Sequence, residues 1–147
     1  MSRSLAILLG AGAGCLVGMQ APVNSRLGRS VGSVQAATFS FLVGTAALVL
    51  IATLFYGGVG SLRHVARAPW WALVGGLFGA VYVAVALVTV RTLGVTALTA
   101  AVIGGQLAMS VAIDRFGVFG VPRQAIGLDR LAGLALLVAG VALVVRK

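Results

Sequence analysis

The chain has almost no acid. Its 147 residues include two carboxylates, Asp114 and Asp129, and no glutamate, against eleven basic side chains of which only Lys147 is a lysine. Charged residues make up 9% of the sequence and hydrophobic ones 61%, with a mean hydropathy of +1.14. A typical globular domain is about 25% charged and about 45–50% apolar, so this chain cannot dress a water-soluble surface. The single cysteine, Cys15, excludes an intrachain disulfide. One histidine, His64, and two acids leave no metal-ligand cluster and no local signature of a catalytic constellation, so neither an enzyme, a metal nor a cofactor is expected. The net charge of +9 does not make a nucleic-acid face either, because that needs clustered Lys and Arg on a soluble body. The expected surroundings are lipid.

What is present is a set of long neutral runs. After Arg3 the next charges are Arg26 and Arg29, and then none occurs until Arg63; Arg67 and Arg91 bound residues 68–90, Arg91 and Asp114 bound 92–113, and Arg130 and Arg146 bound 131–145. A hydrocarbon core about 30 Å thick takes about 20 apolar helical residues, and a mid-membrane charge costs a few kcal/mol on insertion scales. The spacing predicts an all-α integral membrane bundle, one domain over residues 1–147, with five transmembrane helices at 4–25, 34–56, 69–90, 93–113 and 127–145. The fifth is short and crosses if Asp129 and Arg130 sit at the interface with Arg130 snorkelling. Glycine and proline break the loops at 57–69 and 115–126, and Trp70 and Trp71 open the third helix as an interfacial pair. The first apolar segment is longer than a usual signal-peptide core and more spans follow, so it is read as a retained helix. Ala13-Gly14-Cys15 resembles the end of a lipoprotein cleavage box, but Gly12 stands where a larger aliphatic residue is usual.

Five spans put Arg3, Arg63, Arg67, Arg115, Arg123 and Arg130 on one side, six in all, and Arg26, Arg29, Arg91, Arg146 and Lys147 on the other, five in all. Orientation follows an imbalance of Lys and Arg between the two sides, and six against five hardly supplies one. Two readings stay open: dual insertion, with copies pairing as an antiparallel dimer, or one orientation with the loops after helices two and four in the cytoplasm.

Small residues recur at helical spacing: Gly10, Gly14 and Gly18; Gly75 and Gly79; Ala97, Ala101 and Gly105; and Ala132, Ala135, Ala139 and Ala142. Such stripes let backbones approach closely in lipid, either within the chain or at a dimer contact. Gly12-Ala13-Gly14 is no dinucleotide loop, since the βαβ context and the acidic ribose partner are missing. Polar groups inside the spans say more. Gln20 and Asn24 flank Pro22, which frees the Gly18 carbonyl, while Gln106 follows two glycines and Tyr82 sits within the third span. Lipid cannot satisfy such groups, so they face protein or a wet cavity. Gln20, Asn24, Tyr82 and Gln106 are the cavity candidates, with interhelical bonding as the alternative role. Thr38, Ser40 and Thr99 can bond their own helix backbone and need no functional role. On idealised helices, Gln20 lies past the midplane and Gln106 before it, so an inverted partner would bring Gln106 to nearly the depth of Gln20.

The run Gly18-Met19-Gln20-Ala21-Pro22-Val23-Asn24-Ser25-Arg26-Leu27-Gly28, the stretch from Trp70 to Gly79, the segment Gly104-Gly105-Gln106-Leu107 through Ile113-Asp114-Arg115-Phe116-Gly117, and the closing Arg130-Leu131-Ala132-Gly133 through Ala139-Gly140-Val141 together resemble the YdcZ-like family of the drug/metabolite transporter superfamily. The resemblance spans essentially the whole chain. It implies a bacterial inner-membrane exporter of a small metabolite or drug-like molecule. It also implies a half-size five-helix unit acting as a dimer, with itself or with a paired paralogue, since larger members look like two inverted units. One departure matters. The related small multidrug-resistance transporters exchange protons through a membrane-embedded glutamate, and here the only acid near a span is Asp114, next to Arg115. Asp114 is therefore read as a gate or coupling residue at the interface, or as a simple ion-pair partner of Arg115 or a loop arginine. The reading from a different class is a non-transporting subunit that scaffolds a larger membrane complex through its small-residue faces.

Overall fold

The structure is a computed structural model that describes residues 1–125 and 127–146. Ile126, Lys147 and the side chain of Arg130, which entered the loop and charge readings, lie outside the described residues. Among the described residues all regular structure is helical: α1 (Arg3–Val31), α2 (Ser33–Phe55), a 3-10 segment Gly60–Arg67, a short α3 (Trp70–Leu73), α4 (Gly75–Phe116), a 3-10 turn Val118–Gly120, and α5 (Leu128–Val145). Three helical segments are long and apolar enough to cross a membrane, Arg3–Val31, Ser33–Phe55 and Trp70–Phe116, and Leu131–Val145 is a shorter apolar one.

The predicted end of the first helix at Ser25 is corrected to Val31. Pro22 costs one backbone bond without stopping the helix, which ends where Gly32 takes φ 93 and ψ 151 and donates its N–H to the Gly28 carbonyl at 3.0 Å. Arg26 and Arg29 are thus helical residues. The expected gap between the third and fourth spans moves as well. Helical assignment runs on past Arg91 and Thr92, and the break falls at Gly94, with φ 77 and ψ 170. That conformation is essentially restricted to glycine. In both places the helix runs past the charge and a glycine ends it. Unbroken, the 42 residues of α4 would be about 63 Å long, twice the hydrocarbon thickness. The break leaves segments 75–93 and 95–116, each of spanning length.

The chain divides into two compact units, Met1–Arg91 and Thr92–Lys147. In the first, Ala36 and Ala37 of α2 meet Val83 and Leu87 of α4, with Leu27 of α1 and Tyr82 packed against them. The alanines lack bulk, so the helices come close; a Cβ at Gly79 would stand 3.4 Å from the Phe41 ring. In the second unit, Gly104 faces Val141 of α5, and the chain after α4 folds back over that helix's end. Gly117, left-handed at φ 65, donates to the Ile113 carbonyl at 2.8 Å; the Gln124 N–H donates to the Asp114 carbonyl at 2.9 Å, and Arg123 Nε to that of Phe116 at 3.1 Å. These donors satisfy carbonyls that a helix end leaves without partners.

Little is buried. Leu8, Leu16, Leu42, Leu50 and Phe78 are all more than half exposed, as are most large apolar side chains of the helices. An apolar surface this extensive is not sustained in water and suits the acyl chains of a bilayer. Two of the small-residue stripes stay open: a Cβ at Gly10, Gly14 or Gly18 would meet nothing within 4 Å, and Ala132, Ala135 and Ala139 are exposed.

Candidate transport site

Three of the four predicted cavity residues come together. Gln20 and Asn24, one turn apart on α1, face Tyr82 of α4 across a crevice completed by Ala21, Val83, Ala86 and Leu87. It is too narrow to admit a water molecule. The alanines at 21 and 86 create it, since larger residues there would fill the gap. Counting about 1.5 Å per residue from Trp71, Tyr82 lies about 16 Å into its span, near the middle of a 30 Å core.

Asn24 is 7% exposed, and its Nδ2 donates to Ser40 Oγ of α2 at 3.0 Å, tying α1 to α2. Ser40 therefore departs from the expected backbone role, which Thr38 does take by donating to the Val34 carbonyl at 3.0 Å. Gln20 is half-buried at the other end of the crevice. Gln106 belongs to the second unit, where its side chain is exposed and its carbonyl accepts from Ser110 Oγ at 2.7 Å. Asp114 is half-buried in the last turn of α4.

A family model described as "Putative inner membrane exporter, YdcZ" matches residues 5–143. The chain belongs to this exporter family. Neither a curated protein nor a solved structure matches it. As a member of the YdcZ family it is an integral protein of the inner membrane, in keeping with its long apolar helices.

Sequence reasoning missed a second polar contact in this YdcZ-family chain. Arg91, taken only as a span boundary, reaches from α4 to α1: its Nε donates to Ser25 Oγ at 3.2 Å and its Nη2 to the Ser25 carbonyl at 3.3 Å. Gly28 gives the guanidinium room, since a Cβ there would sit 2.9 Å from Nη2 and shift it. The available signal was spacing, because Ser25 and Gly28 share a helix face three residues apart.

Proposed function

We propose that the chain exports a small metabolite or drug-like molecule, polar and neutral or amphipathic rather than strongly cationic, and performs no covalent chemistry. The observation that carries this reading is the convergence of Gln20, Asn24 and Tyr82 on one crevice between α1 and α4. Amide and hydroxyl groups there supply donors and acceptors in a region where lipid supplies none. A crevice closed to water passes solute only if α1 and α4 part, which is the local movement alternating access requires. The break at Gly94 supports a count of five spans, with segments 75–93 and 95–116 crossing separately and α5 completing the set. An odd number of spans with nearly balanced charge suits an antiparallel pair of copies, whose inverted arrangement would bring Gln106 to the depth of Gln20. The open stripe at Gly10, Gly14 and Gly18 offers a face for that pairing. Asp114, at the end of its helix, is the candidate gating or coupling residue.

The test is uptake of labelled neutral and amphipathic solutes into everted membrane vesicles. Replacing Gln20 and Gln106 together by alanine should lower transport at least about tenfold at equal protein level, the equivalent of about 1.4 kcal/mol. Transport equal to that of the unaltered protein would reject the site.

A further inference from the structure

All charged side chains in the unit Met1–Arg91 are basic, namely Arg3, Arg26, Arg29, Arg63, Arg67 and Arg91, and residues 1–91 include no aspartate or glutamate. Arg91 is held in place at one edge. Ser25 engages the Nε and Nη2 side of its guanidinium, and Gly28 lets the group lie against α1. A guanidinium carries five N–H donors. Ser25 takes two, which leaves the Nη1 and outer Nη2 fork, the edge that grips a carboxylate or phosphate through paired bonds. Arg91 stands one helical turn beyond Leu87 of the crevice, and Ser25 follows Asn24 directly. The guanidinium therefore lies one turn past the end of the crevice, between the same two helices, without lining it. Arg26 and Arg29, exposed on the adjoining turns of α1, add charge of the same sign.

We propose that Arg91 is the anion-recognition residue of the crevice, and that the exported solute carries a carboxylate or phosphate group. This rests on the crevice being the substrate site. It narrows the solute proposed above to an amphipathic one that carries an acidic group, in place of a neutral one.

The purified protein in uncharged detergent would be titrated calorimetrically with phenyl phosphate, benzamide and benzylamine, which share a ring and differ in charge. Phenyl phosphate is expected to bind at least tenfold more tightly than the other two. R91Q should remove that advantage and leave benzamide unchanged, while R91K, keeping the charge without the fork, retains part of it. A correctly folded R91K also guards against a misfolded R91Q. Absence of an anion preference, or its persistence in R91Q, overturns the proposal; if benzamide still binds and Q20A abolishes that binding, the exporter site survives this failure. Phenyl phosphate binding that needs Arg91 but ignores Q20A puts the anion off the transport path and overturns both readings. The last arm uses lipid nanodiscs. If phosphatidylglycerol suppresses the phenyl phosphate signal while phosphatidylcholine alone does not, Arg91 serves a lipid headgroup and the solute reading is overturned.

Discussion

The bond from Asn24 to Ser40 separates two roles that one side chain can play, holding helices together and contacting solute. Asn24→Ala removes a 3.0 Å hydrogen bond between α1 and α2 and leaves a gap at a site only 7% exposed. Interhelical side-chain bonds in membrane proteins average about 0.6 kcal/mol, with a maximum near 1.7, and the surviving serine is not stranded. Its hydroxyl can turn back to its own helix backbone, as those of Thr38, Thr53 and Thr89 do. Adding a partly collapsed cavity puts the loss at about 1–2 kcal/mol. Ser40→Ala strands the amide instead, at a cost of about 1 kcal/mol. Reversible unfolding in mixed dodecyl maltoside and SDS micelles, followed by helical circular dichroism, gives both values and, with the double variant, a coupling of about 0.5–1.5 kcal/mol. Transport then separates the roles. N24A should fall much further than S40A, because Asn24 lines the crevice and Ser40 does not. Equal transport losses would reduce Asn24 to a packing residue, and zero coupling would refute the bond as a source of stability.

Two further outcomes test the helix break and the orientation. Gly94→Ala should destabilise by about 1–3 kcal/mol through backbone strain alone, since a Cβ there meets nothing within 4 Å and φ is 77; an unfolding midpoint equal to the parent's would refute the break. On the proposed five-span count the basic side chains divide six against five, so a reporter fused after Lys147 should signal from both sides of the membrane. Three added C-terminal lysines should confine it to one side and depress export until an oppositely biased copy is co-expressed, whereas a one-sided signal from the unmodified chain would refute dual insertion.

The charge map read two helix ranges closely. The second helix was predicted at 34–56 and runs Ser33–Phe55, and the fifth, predicted at 127–145, runs Leu128–Val145. It failed where a charge and a helix end do not coincide. Arg26 marked a membrane edge six residues before Gly32 stops α1, and Arg91 did so three residues before Gly94 breaks α4. A helix can carry arginine past the hydrocarbon boundary, because its backbone bonds are internal and the long side chain reaches water. Gln20, Asn24 and Tyr82 were legible as a group for the converse reason, that a polar side chain in a neutral run is satisfied by protein, whereas Gln106, chosen by the same rule, is exposed in the second unit. Which partner Asn24 finds was not legible, since Ser40 has a local alternative on its own helix.

The same logic explains why Arg91 was overlooked. A charge at a span boundary has a sufficient explanation in hydration, so nothing in the sequence asks for another. The geometry asks for one, because a freely hydrated arginine would not place two of its donors on one serine while a glycine opens the space for them. Ordering so flexible a side chain costs about 2 kcal/mol of rotamer entropy, and each of the two bonds returns only about 0.5–1.5 kcal/mol net. The contact therefore adds little stability, and its effect is positional. It fixes the last turn of segment 75–93 against α1 just before the chain breaks at Gly94, and it points the remaining donors away from Ser25. A bulkier residue at Gly28 would displace the guanidinium without removing its charge. Such a variant would isolate the value of the position itself.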